Sequence, residues 1–361
     1  MKVVMFGNAP EINAGVRYRV LKFADMLRKD GHKCIVCLPS SSALYRRCWE
    51  KGSKLRKAAY VFLTFLRRLA QMRHVPGADV VFFRGPLMTH GYGPPLLEYL
   101  AVFLNRRIVF DIDDAIWEPP DGVNSPLLFL VDFNWTWKMC RICRHAVVGN
   151  RYLFEHVSAR GIPSTIVPTC IDMEIHTQKQ YVQRADAPIV LGWAGVHTNQ
   201  EYLDIIIDVV RDLSKKHNIV LSVASDRPYE RTDAPIINVK WELQHAIDYH
   251  RDADIGLMPL SESRCARGKC AFKALQYMGV GTPCVVSPVG MNCEVVEDGI
   301  NGFLADSPED WRDKLERLIV DASLRERMGR AARDTVLAKY SHQGNYPKFL
   351  ESMRSAAGIQ K

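Results

Sequence analysis

The sequence predicts an α/β protein of two doubly wound, Rossmann-like domains facing a central cleft. Three observations carry this expectation. The 361 residues exceed the roughly 100–200 of a single domain and suit two. Short apolar runs alternate with amphipathic stretches, as parallel strands joined by crossover helices do. The alternation comes as two series of similar length, joined near residues 169–188. Ligands of such sheets bind beyond the carboxyl ends of the strands, so the cleft between two such domains is the expected site.

In the first series, strands are expected at 3–6, 34–38, 80–83, 108–110, 146–148 and 164–167, with a helix over 16–29. In the second, a strand at 189–193 precedes a helix over 202–215. Strands at 220–224 and 255–258, a helix over 270–278 and a strand at 283–287 follow. Residues 308–357 read as almost wholly helical. The domains are therefore placed at 1–170 and 186–340, with a terminal helix in 341–361 packing back onto the first.

Residues 1–7 form a short apolar run ending in glycine, without a cleavage site, and read as a first strand rather than a leader. No apolar run reaches the ~18 residues that span a bilayer. The ten cysteines read as reduced thiols of a cytosolic protein. Cys34/Cys37 and Cys140/Cys143 have the spacing of half a zinc site. The first pair falls on opposite faces of a strand, and the second on a helix, so neither suggests a zinc ribbon. No metal and no cofactor are expected.

Charge is concentrated. Between Leu44 and His74 stand nine lysines and arginines against Glu50 alone, a surplus equal to the whole net charge of +8. Apolar residues from Tyr60 to Leu69 interleave with these cations. An amphipathic helix with a cationic face suits an anionic inner leaflet. Arg56, Lys57, Arg67 and Arg68 are the expected membrane contacts. A solvated helix is the plain alternative. Nucleic acid is not expected, because no aromatic stacking platform accompanies the charge.

The most informative stretch runs from Arg264 to Gly302. A helix is expected to start near Lys269 or Cys270, with Lys269, Lys273 and Gln276 on one face at i, i+4 and i+7. Two lysines in a helix's first turns oppose its macrodipole, which favours anions there. An anion, most naturally a diphosphate, between the lysines and the backbone N–H groups resolves the conflict. Two lysines pointing to water is the alternative.

The run Gln276 to Gly290, followed by Glu294-Val-Val and Asp298-Gly-Ile-Asn301-Gly302, resembles glycosyltransferase family 4. The resemblance implies the GT-B fold and metal-independent, retaining transfer of a sugar, hexosyltransferase type, from a nucleotide donor. It implies that Glu294, Arg267, Lys269, Lys273 and Gln276 bind the donor. The two glutamates that the family carries eight positions apart fall here on Gly268 and Gln276. Gln276 can still hydrogen-bond a ribose, whereas Gly268 cannot grip a sugar. Gly195, His197 and Thr198 lie where the family holds the donor diphosphate, and Trp241 where it passes the nucleobase. Gly15 and Arg17 resemble its glycine loop, which faces donor phosphate and acceptor.

Asp111, Asp113 and Asp114 follow a strand, and Asp113-Asp114 aligns with the family's His-Asp pair near the sugar. An acceptor-binding or base role is expected for both, with Lys269 as the third catalytic residue. A divalent metal is the rival at the carboxylates. The acceptor is expected to be a glycan or a lipid-linked glycan in polysaccharide biosynthesis. The protein is then cytoplasmic and peripheral on the inner face of the cell membrane. A nucleotide-sugar epimerase of the same fold and a non-catalytic sugar-nucleotide-binding scaffold stay open as alternatives.

Overall fold

The computed structural model describes residues 1–50, 52–88, 95–119, 132–182 and 187–359, with the side chain of residue 50 left out. Lys51 of the basic stretch and the expected domain start at 186 lie outside these. The chain divides into two units: Met1–Cys170 with Asn345–Lys361, and Ile171–Gly344.

Unit 1 holds β1 (Lys2–Gly7), β2 (Lys33–Cys37), β3 (Val80–Arg84), β4 (Ile108–Ile112), β5 (His145–Val148) and β6 (Ser164–Ile166). They pair in parallel in the order β2-β1-β3-β4-β5-β6. Its helices of two turns or more are α1 (Lys22–Lys29), α2 (Lys54–Gln71), α3 (Leu96–Leu104), α4 (Trp135–Ile142) and α5 (Arg151–Ser158). The chain runs from β1 outward to β2 and then returns past β1 to β3. Because such crossovers are right-handed, α2 and α3, which advance in the same direction, cover the same sheet face. The strands are almost continuously apolar, as strands buried on both faces must be.

Unit 2 holds β7 (Ile189–Ala194), β8 (Ile219–Ser225), β9 (Ile236–Lys240), β10 (Ile255–Met258), β11 (Cys284–Val286) and β12 (Phe303–Leu304). They too are parallel, ordered β12-β11-β10-β7-β8-β9. Its helices are α6 (Ile207–Ser214), α7 (Phe272–Val280), α8 (Pro308–Val320) and α9 (Ala322–Thr335), and α10 (His342–Ala357) carries the chain back to unit 1. Phe349 of α10 stacks on Phe23 at 4.1 Å between ring centroids and packs edge-on to Phe82.

Three expected helices differ at their starts. The first opens at Ala14, capped by Asn13, and contains a π turn at Arg17–Leu21. The helix expected from 202 is a 3₁₀ run, His197–Ile205, before α6. The helix expected from 269 or 270 begins at Phe272, because Ala271 is left-handed at φ 49°. That conformation costs an alanine roughly 1–2 kcal/mol and breaks the helix. Lys269 therefore precedes α7 rather than sharing one of its faces with Lys273 and Gln276.

Burial holds two histidines of unit 2 neutral. His176 is lowered to about 4 and His250 to about 3, chiefly by desolvation, while Asp172 O and Ala246 O each meet an Nδ1. Their unfolded value is near 6.5. The unfolded chain thus binds protons below that pH that the folded chain refuses. Stability should be full above pH 6.5 and fall as pH drops toward 4, by up to ~1.4 kcal/mol per pH unit per histidine. Urea denaturation at pH 7 and pH 5 measures this. Equal midpoints at both pH values would contradict it, and His176→Gln should flatten the wild-type dependence.

Candidate functional site

In unit 2 the strand order reverses between β7 and β10, and the candidate residues gather around the segments leaving these strands. Gly195 follows β7. A Cβ there would stand 2.7 Å from the Trp193 ring and 2.9 Å from Lys273 Cε. Glycine therefore lets the chain pass over Trp193 with Lys273 close by. The Lys273 ammonium lies 5.3 Å from the Trp193 ring centroid, and Lys269 lies 5.9 Å from that of Tyr202. Such faces hold a cation with ~0.5–2 kcal/mol without neutralising its charge.

His197 opens the 3₁₀ run. Its backbone N–H and Nδ1 meet the two carboxylate oxygens of Asp226 at 2.7 and 2.6 Å. Burial pushes Asp226 up, but the His197 hydrogen bonds and charge outweigh it and hold the carboxyl below its usual range. An ionised Asp226 fixes the proton on Nδ1 of the imidazole. Asp226, just beyond β8, was missed in the sequence because nothing marks a contact across 29 positions. Thr198 is exposed beside His197.

Gln276 is buried within α7, with 7% of its surface exposed. Arg267 ends the short helix Arg264–Arg267, is exposed, and pairs with Glu262. Glu294 is exposed on the short helix Asn292–Val295. Trp241 is half-buried just past β9, its backbone N–H donating to Ser225 O at 2.9 Å.

In unit 1 the order reverses between β1 and β3. Arg84 ends β3, and its Nη1 and Nη2 donate to Asn8 Oδ1 and Asp113 Oδ2, both at 2.6 Å. A Cβ on Gly15 would fall 1.9 Å from Arg84 Nη2. Glycine at 15 is thus the space that Arg84 occupies, and Arg84 is a second residue that sequence reading missed. Burial raises the Asp113 carboxyl, but Arg84 and Arg19 outweigh it and hold the group below the usual range. A carboxylate so held is a poor proton acceptor near neutrality, and its chemistry is that of a hydrogen-bond acceptor. Asp114 Oδ1 accepts from Ala115 N. Asp111 is buried in a bidentate pair with Arg19, at 2.8 and 2.5 Å. Arg17 Nη1 donates to Glu11 O and Ile12 O, bracing the loop before it.

Arg68 is not a membrane contact. It has no exposed surface. Its guanidinium donates to Gly7 O at 2.5 Å, Cys37 O at 3.0 Å, Leu87 O at 2.8 Å and Gln71 Oε1 at 2.9 Å. Gly7 and Cys37 are the last residues of β1 and β2, so Arg68 caps carbonyls that the sheet leaves unpaired. Burial lowers its pKa to about 10, and it stays charged. Arg56 is exposed, Lys57 lies over the Trp49 ring at 5.5 Å, and Arg67 Nε donates to Leu38 O at 3.1 Å.

Among the described residues, no three histidines, cysteines or carboxylates gather as a metal site, and no helix is long and apolar enough to cross a membrane. All ten cysteines are free thiols.

Two parallel-sheet α/β units in this order define the GT-B fold. The structure matches Anabaena HepE, solved with UDP and glucose, at a TM-score of 0.68 and 13% identity, covering 98% of this chain and 100% of that one. It matches the catalytic domain of starch synthase IV from Arabidopsis thaliana, bound to ADP and acarbose, at 0.68 and 12% identity over 99% of both chains. Residues 188–321 match the family model described as Glycosyl transferases group 1, so unit 2 carries a domain of that kind. D-inositol 3-phosphate glycosyltransferase of Thermobifida fusca (strain YX) is 35% identical over 88 residues, 24% of this chain. The match spans 19% of that protein's length.

The buried guanidinium predicts a large effect. Arg68→Leu leaves two strand-end carbonyls, Gly7 O and Cys37 O, and Leu87 O without this donor, at ~1–3 kcal/mol each. We expect a loss of ~3 kcal/mol or more in urea denaturation, against almost none for exposed Arg56→Leu. Equal, small effects would contradict the capping role.

Proposed function

We propose that the chain is a glycosyltransferase of the hexosyl type, moving a sugar from a nucleotide-sugar donor onto an acceptor hydroxyl. The observation that carries this is the cationic edge of unit 2, with Lys269 and Lys273 over Tyr202 and Trp193 at the strand-order reversal. The matched domain family and the UDP and ADP complexes of the structural relatives support the same reading.

The acceptor oxygen bonds to the anomeric carbon as the bond from that carbon to the diphosphate oxygen breaks. Negative charge grows on the diphosphate, where Lys269 and Lys273 stabilise it, with His197, anchored to Asp226 through Nδ1, beside them. The leaving phosphate oxygen takes the acceptor proton, so no protein nucleophile is assigned and configuration is retained. Gln276 contacts the ribose, Trp241 the base, and Gly195 and Thr198 the phosphates. Arg267 and Glu294 flank the donor. Asp113, Asp114 and the Gly15–Arg17 loop hold the acceptor. With lysines supplying the positive charge, transfer needs no divalent metal.

The acceptor is lipid-linked or a surface glycan made in polysaccharide biosynthesis. The basic stretch, through Arg56, Lys57 and Arg67, holds the enzyme on the inner face of an anionic membrane from the cytoplasm.

A thermal-shift screen of UDP-, ADP- and GDP-sugars identifies the donor, and calorimetry then tests the lysines. Lys273→Ala should weaken donor binding ~10- to 100-fold, by loss of a charge-assisted phosphate contact worth ~1.5–3 kcal/mol. Unchanged affinity would remove Lys273 from the site. Transfer should also persist in chelator, and loss of activity restored by magnesium or manganese would contradict the metal-independent account.

A further inference from the structure

α2 is amphipathic the wrong way round for a helix of a protein surrounded by water. Its inward stripe is Tyr60, Thr64 and Arg68, at i, i+4 and i+8. Its outward faces carry Phe62, Leu66 and Leu69 at i, i+4 and i+7, with Phe62 62% exposed. α3 repeats the pattern. Leu96, Leu100 and Phe103 share one face at the same spacing, and Leu96 is 68% and Phe103 85% exposed. Scattered exposed leucines need no explanation, but two helices each presenting a full apolar stripe do.

The two helices belong to one surface. Both cover the same face of the unit 1 sheet, and Leu87 ties them together. Its carbonyl accepts from Arg68 of α2, and its N–H donates to Glu98 of α3 at 2.7 Å. The charges around the stripes have one sign. No acidic residue occurs between Gly52 and Arg73. The sole acid of α3, Glu98, is buried, while Lys54, Arg56, Arg67, Arg73, Arg106 and Arg107 are exposed. Apolar stripes rimmed by cations match the layered chemistry of an anionic bilayer, with hydrocarbon below and phosphate above. A soluble partner would need an acidic rim around an apolar centre.

We propose that α2 and α3 form a single insertion surface that sinks these side chains beneath the headgroups of an anionic bilayer. It rests on the membrane reading given above, but replaces attraction by charge alone with burial of apolar surface. It also assigns a role to α3, which lies outside the basic stretch.

Flotation with vesicles of phosphatidylcholine and phosphatidylglycerol tests it on the full chain. The variants are Leu96→Ser/Leu100→Ser/Phe103→Ser on α3 and Lys54→Gln/Arg56→Gln/Arg67→Gln on α2. All six positions are exposed, and unchanged thermal unfolding would verify the fold of each variant. Wild type should stay bound at about 1 M salt, where the Debye length is only ~3 Å. The α3 variant should bind roughly a thousandfold more weakly and be fully released at high salt, since each of its three buried large apolar side chains contributes about a tenfold factor or more. Wild-type binding that vanishes at high salt, with the α3 variant indistinguishable from wild type, would overturn insertion while leaving electrostatic docking intact. Absence of wild-type binding at any salt would overturn both. A wild-type dimer that does not float and that the α3 variant converts to monomer would overturn insertion in favour of a second copy.

Discussion

The reversal of strand order within each parallel sheet is the constraint on which the rest of the structure depends. The chain passes from β1 to β2 in one direction and then returns past β1 to β3, and right-handed crossovers place the helices of the two directions on opposite faces. In the other unit β7, β8 and β9 run one way before β10 pairs on the far side of β7. The segments leaving the sheet at these reversals diverge, and polar groups collect there. Gly15 and Arg84 flank one reversal. Gly195, Lys273 and the Lys269 segment flank the other. Both glycines are there for space: the Arg84 guanidinium fills the place of a Cβ at Gly15, and at Gly195 a Cβ would crowd the Trp193 ring and the Lys273 stem.

The same geometry leaves carbonyls at the carboxyl ends of strands without ladder partners. Arg68 meets that need for β1 and β2, and Arg19, paired to Asp111, also donates to Val167 O at 3.0 Å. Interior arginines thus organise unit 1. Using Arg68 for this purpose has a consequence for α2. With Tyr60, Thr64 and Arg68 turned inward, the apolar residues between them are turned out.

The parallel α/β order was legible because strands buried on both faces are continuous apolar runs, such as Val80 to Phe83. The run Gln276 to Gly302, which lies within the matched Glycosyl transferases group 1 domain, was legible as a motif. The orientation of Arg68 was not. A basic residue on an amphipathic helix reads as solvent-facing, and only the three-dimensional position of Gly7, Cys37 and Leu87 reveals its acceptors. The place of Lys269 was misread because Ala271 gives no sign that it adopts a left-handed conformation. Arg84 and Asp226 were invisible for a different reason: each acts through a partner 29 positions away. Asp113 was singled out as a carboxylate at a strand end, but its ion pair, and hence its weakness as a base, required the structure.

The central claim is that the carboxyl edge of unit 2 around β7 and α7 is built for a diphosphate. Amide hydrogen exchange with and without a saturating nucleoside diphosphate sugar tests it most directly, since it reads individual segments rather than overall affinity. The account predicts slowed exchange at residues 195–199 and 269–275 and at Trp241, with β9 and α8 unchanged. Protection confined to any other part of unit 2, with these two segments exchanging as in the free protein, would contradict it.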